Sequence, residues 1–107
     1  MNVYTYMTSG GKDLIRNYLD NLPKNESAEG YHIIELLERY GIDGLDTLNT
    51  RQLDQKIWEI KFYRHNRIMY LLIDQDNIYL LHACKKQKDK AEKFELETAR
   101  KRAKEIL

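Results

Sequence analysis

Seven residues near the middle and end of the chain could do chemistry together. Lys61 and Tyr63 share the polar side of the run "KIWEIKFY". Arg64 and His65 follow in "RHN", Arg67 opens "RIMYLLID", and Lys85 and Lys86 close "IYLLHACKK". Clustered lysines and arginines bind phosphate. They also suit a metal-free reaction, in which an RNA 2′-OH attacks the adjacent phosphodiester. That reaction needs one group to take the 2′ proton, one to protonate the leaving 5′ oxygen, and cations on the phosphorane-like transition state. Pre-placed cations stabilise such charge strongly in a partly dry site, and a positioned acid or base contributes about 10²–10⁴-fold. A lysine crowded by other cations has a lowered pKa and could serve as the base. Tyr63 could stack on a nucleobase. The competing reading is a solvated basic face with salt bridges to Asp89, Glu92 and Glu95. Lys88, Lys90 and Lys93 fit steering or a solvated helix face, with Lys88 near enough to the pair to join an RNA-binding set.

Other chemistries find less support. His32, His65 and His82 are far apart in sequence. His82 sits inside an apolar run and reads as a hydrogen-bonded core residue, His32 as a surface residue, and His65 as the solvent-open one. A zinc site needs more ligands at shorter spacing, so no metal or other cofactor is expected. Gly10-Gly11 is a pair and not a phosphate-binding fingerprint. The single Cys84 lies in a buried run without an evident base, so a structural role is expected.

These residues need elements to hold them. "NVYTYM" alternates and is β-branched and aromatic, predicting a strand over 2–7. Leu14, Ile15, Tyr18, Leu19 and Leu22 share a helical stripe, predicting a helix over about 11–22 that Ser9 could cap and that stops before Pro23. "PKNESAEG" reads as a polar connection or a first helical turn. Ile33, Ile34, Leu36, Leu37 and Tyr40 form a second stripe ended by Gly41, and the two helices suggest a hairpin. "IDGLDTLNTRQLD" reads as irregular, its leucines tying a loop to the core. Three strands follow, joined by "RHN" and "DQDN", and should form an antiparallel meander. Residues 88–106 should be helical. The order β-α-α-β-β-β-α makes an α+β domain. Because the first and third meander strands run parallel on either side of the second, Lys61, Arg67 and Lys85/Lys86 should converge on one end and one face of the sheet.

Length and charge set the frame. A chain of 107 residues is one domain by length, spanning 1–107. No run of 18 or more apolar residues predicts a membrane span, and "MNVYTYMTSGG" does not read as a secretory leader. With one cysteine, a reducing, cytoplasmic setting is expected. The net charge of +1 hides a division: residues 1–50 carry four basic against eight acidic side chains, and residues 51–107 fourteen against nine. The basic half could meet a polyanion.

Taken together, Trp58 to Lys61, Arg67 to Tyr70, His82 to Lys86 and Ala99 to Arg102 stand in the order W-E-[IL]-[KR], Arg-led apolar strand ending in Tyr, H-x-x-K-K and A-x-x-R. In this the chain resembles the RelE/ParE superfamily of bacterial toxins, specifically the HigB-type branch. "YLDNLP" and "IIELLERYG" extend the likeness over nearly the whole length. The resemblance implies a RelE-like fold and an mRNA interferase that cleaves mRNA in the ribosomal A site. It implies a cognate antitoxin, often with a helix-turn-helix and HigA-like, in a toxin–antitoxin hetero-oligomer. Carried over position by position, the working residues are Lys61, Arg67 and Lys85 or, preferentially, Lys86. The first strand lysine of the pattern is Glu59 here, no tyrosine follows Tyr79, and "KQKDKAEK" stands where the family has K-T-P. The general base therefore stays open among Glu59, His65 and a lysine. The same resemblance admits a ParE-like toxin that inhibits DNA gyrase without cleaving RNA. Without it, a basic-faced interaction module remains.

Overall fold

The computed structural model describes residues 1–86 and 90–106. Its elements are β1 (Asn2–Thr5), α1 (Leu14–Asp20), α2 (Lys24–Leu45), β2 (Asn49–Gln52), β3 (Ile57–Phe62), β4 (Asn66–Asp74), β5 (Asn77–Lys85) and α3 (Lys90–Ile106). This is a mixed α+β architecture built on a five-stranded sheet in the order β1-β5-β4-β3-β2. β2 to β5 pair antiparallel in succession, and β1 joins the far side of β5 in parallel.

Two expectations are corrected here. The meander has four strands and not three, because "NTRQ" pairs with β3 as an edge strand. Its residues carry no alternating apolar signal; backbone hydrogen bonds to β3 and not side-chain burial define it. The first helix begins at Leu14 rather than near residue 11, and its cap is Asp13 and not Ser9. The Asp13 carboxylate accepts the Arg16 N–H at 2.9 Å. The "PKNESAEG" stretch is helical from Lys24, directly after Pro23. Gly41 breaks α2 with φ 58° and ψ −133°, a conformation that favours glycine, and a short helical turn follows.

The sheet is covered on both sides. Ile15 and Leu19 of α1 and Ile33, Ile34 and Leu37 of α2 pack against Ile60, Phe62, Ile68, Tyr70, Ile78 and Leu80. The other side buries Ile57, Met69, Leu71, Leu81 and Cys84 beneath Ala99 and Ala103 of α3. Small residues on α3 let the helix lie close to the strands. Each layer buries its own apolar stripe, and burial of such a side chain is worth about 1.5–3 kcal/mol. Among the described residues, no helix is long and apolar enough to cross a membrane.

Candidate functional site

The β3–β4 turn and the end of β5 meet at one end of the sheet. Phe62 pairs with Asn66, Lys61 with Arg67, Arg67 with Cys84, and Asn66 with Lys85. The Lys86 N–H donates to the His65 carbonyl at 2.6 Å. Tyr63, Arg64, His65, Lys85 and Lys86 are all exposed there. Tyr63 and Arg64 turn the chain with φ of 50° and 62°. Side-chain-bearing residues in that region cost roughly 1–2 kcal/mol each, so the tip holds stored strain of the sort that collects at working sites. Lys88, expected among the binding residues, lies outside the described residues.

The expected convergence on one face is only half realised. Lys61 and Arg67 are direct cross-strand partners and face α3 together. Lys85 follows Cys84, and side chains alternate along a strand, so it faces the α1/α2 layer. There its Nζ lies 3.7 Å from Glu26. Glu26 also accepts from the Asn66 amide at 2.7 Å, and Asn66 accepts from the Tyr18 hydroxyl at 2.6 Å. Asn66 is buried, and this chain of bonds pins the turn to both helices. Burial, with the neighbouring Cys84 and Glu26, raises the Tyr18 phenol far above its ordinary value.

On the α3 face, four charges close a ring. Arg51 Nε lies 3.0 Å from Glu59 Oε1, and Arg67 Nη1 lies 3.3 Å from Glu59 Oε2. Arg51 Nη2 and Arg67 Nη1 both donate to Glu92 Oε1, at 2.9 and 2.6 Å. Glu59 is 0% exposed and Arg67 3%. Among the described residues, the Glu59 oxygens nevertheless take no aligned hydrogen bond and Arg67 Nε–H has no acceptor. The Arg67 hydrogen bond, followed by that of Arg51, holds the Glu92 carboxyl below the usual carboxylate range. Arg67 is thus not an open phosphate-binding cation but the inner member of an ion-pair network. Glu59 is sealed from solvent, so the proton-acceptor role open to it in sequence terms requires the ring to open.

Arg51 was not legible as a site residue, because it rides on the strand that has no apolar pattern. Its register opposite Glu59 places it. A cavity of about 450 Å³ opens beside it, lined by Arg51, Gln52, Met69, Glu92, Lys93 and Leu96.

A second polar group lies farther along β5. Arg102 Nη1 donates to the Leu81 carbonyl at 2.9 Å and to His82 Nδ1 at 3.0 Å. A guanidinium cannot accept, so Nδ1 is the lone-pair nitrogen and Nε2 carries the proton. Nε2 faces Glu95. Burial is the main cause of a lowered His82 pKa, opposed by Glu95 and aided by Arg102. Burial also pushes the Cys84 thiol up to about 12, with Glu95 adding to the effect. Among the described residues, His82, Cys84 and Glu95 are the group whose donor atoms lie close enough to hold a metal, within 4.8 Å of one another. The donor set fits poorly. A metal would need the His82 nitrogen that carries the proton, while Arg102 occupies the other and adds positive charge.

The model of the phage-derived Gp49-like proteins (DUF891) matches residues 17–104. That span runs from the middle of α1 through nearly all of α3 and includes both clusters. The chain belongs to this family, whose members are toxin-like proteins of toxin–antitoxin systems. No curated protein matches the chain.

Proposed function

We propose that the chain is the toxin of a type II toxin–antitoxin pair and acts as a ribosome-dependent mRNA interferase. Family membership supports the toxin-like class. The observation that carries the RNA reading is the Lys86-to-His65 backbone bond, which gathers Tyr63, Arg64, His65, Lys85 and Lys86 at one exposed end of the sheet. Lys61 stands behind them on β3. In this reading Arg64, Lys85 and Lys86 hold the RNA backbone, and Tyr63 stacks on a base. Lys61 and Lys86 stabilise the charge that grows as the 2′-OH attacks phosphorus. The exposed His65 is the best-placed proton carrier, since Glu59 is internal. The 2′ oxygen forms a bond to phosphorus, the 5′ oxygen leaves with a proton, and a cyclic phosphate remains. The partners are mRNA, the ribosome and a cognate antitoxin, HigA-like with a helix-turn-helix, in a hetero-oligomer.

Primer extension on a reporter mRNA, with and without ribosomes, tests this directly. Wild type should cut only with ribosomes, and Lys61→Ala and Lys86→Ala should each lose about 10²-fold or more in rate. Cleavage undiminished in both variants would refute the assignment. The ring of Arg51, Glu59, Arg67 and Glu92 favours a second reading, because it leaves the family-implied arginine engaged. A ParE-like toxin would inhibit DNA gyrase without cutting RNA. Expression would then produce an SOS response and broken DNA while mRNA stays intact.

A further inference from the structure

We propose that Arg51 and Arg67 form a fork for an RNA phosphodiester, and that Glu92 is its internal occupant, a carboxylate held where the phosphate binds. This rests on the RNA reading above and adds to it a second arginine and a self-blocking residue.

Four observations meet here. First, two guanidinium groups from different strands converge on one oxygen, Glu92 Oε1, at 2.9 and 2.6 Å. Carboxylate and phosphate oxygens are the acceptors that guanidinium forks match best. Second, Arg67 is buried and still has an Nε–H without an acceptor among the described residues. Glu92, which offers one oxygen to Arg51 Nη2 and Arg67 Nη1, gives it no acceptor. Nε–H lies on the guanidinium edge shared with Nη2, away from the Nη1 that Glu92 takes, so an anion that displaces Glu92 and sits across that edge would supply its acceptor. A buried polar network left partly unsatisfied is poised for such an exchange.

Third, the segment bearing Glu92 is lightly held. Phe94, two residues on, is 67% exposed, and Lys93 is exposed as well. Among the described side chains, the apolar anchoring of α3 runs from Leu96 through Ala99 and Ala103. Withdrawing Glu92 therefore exposes little apolar surface. Fourth, the cavity of about 450 Å³ opens against Glu92, with Arg51 and Lys93 on its wall. A nucleotide entering there meets cations on the way to the fork.

The exchange also balances in charge. Glu92 is held ionised by its two arginines, so it leaves as one negative charge and one phosphodiester replaces it. Glu59 stays between the arginines throughout. The buried ring thus never carries an uncompensated charge, the costly state for groups out of water.

The probe is a short, labelled 2′-O-methyl oligoribonucleotide, which has no 2′-OH to attack. Binding is followed by fluorescence anisotropy across a salt series. Glu92→Gln should bind about tenfold more tightly than wild type at low salt. Its slope of log K against log salt should steepen by about 0.7, one further phosphate contact on a single strand. Glu97→Gln removes the same charge from an exposed position on α3 and should give a much smaller gain. Arg51→Gln/Glu92→Gln should lose the gain, while circular dichroism confirms the fold of each variant. No tightening in Glu92→Gln, a gain equalled by Glu97→Gln, or a gain kept in the double variant overturns the proposal. Because the probe cannot be cleaved, the nuclease reading can fail by primer extension while a gain in Glu92→Gln still supports the fork.

Discussion

Replacing Arg67 by methionine should destabilise the fold severely. The change leaves Glu59, 0% exposed, without its inner partner. Removing one member of a buried pair costs about 3–5 kcal/mol, because the remaining charge is stranded out of water. Arg51 Nε still stands 3.0 Å from Glu59 and is 48% exposed, so part of the compensation survives. That places the expected loss near the lower end, about 3 kcal/mol. For a domain of this size it corresponds to a drop of about 12–24 °C in melting temperature. Urea unfolding followed by fluorescence of the single Trp58 measures it. A companion variant, Glu59→Leu/Arg67→Met, removes the stranded charge and should recover most of the loss, since well-packed apolar residues replace buried pairs at little cost. A loss below about 1 kcal/mol in Arg67→Met, or a double variant as unstable as the single, would refute this reasoning. The consequence reaches function. Loss of toxicity in Arg67→Ala cannot by itself establish a role in cleavage, so Lys61 and Lys86 carry the test proposed above.

Two further outcomes follow from other parts of the structure. Burial holds the His82 imidazole below its ordinary 6.5, so the unfolded chain takes up a proton at pH values where the folded chain does not. Stability should therefore rise with pH across the window below 6.5 and level off above it, and urea midpoints for wild type and His82→Gln should differ in that slope; equal slopes would assign the dependence elsewhere. At the hairpin tip, Arg64→Gly relieves a φ of 62°. It should raise stability by roughly 1 kcal/mol, while weakening oligonucleotide binding in the same anisotropy assay.

The helical stripes of α1 and α2 were readable because an apolar residue every three or four positions is a local signal, and Ile15, Leu19, Ile33, Ile34 and Leu37 are buried as that spacing requires. Tyr40 shares that spacing but is exposed, since the backbone breaks at the next residue. The strands β3 to β5 were readable from their β-branched and aromatic runs and short connections. β2 was not, because a polar edge strand is defined by its partner. The shared end of the sheet for Lys61, Arg67, Lys85 and Lys86 followed from strand direction. The face did not. Which side Lys85 takes depends on the β4–β5 register, which slips between Met69 and Tyr70. One residue of register exchanges the two faces.

Composition and periodicity by themselves determined the α+β class, the two amphipathic helices and a basic C-terminal half with an aromatic turn. These are properties of neighbours along the chain. Only the tertiary structure decided which cations remain available. The ion pairs that join Arg51, Glu59, Arg67 and Glu92 around the ring span 8 to 41 residues of sequence. Alternation along β3 marks Glu59 as polar and therefore outward, but α3 returns over that face and seals it. Charge pairing falls off with distance through space and not along sequence. The division between cations held in the core and cations offered at the hairpin tip is for that reason a property of the folded chain.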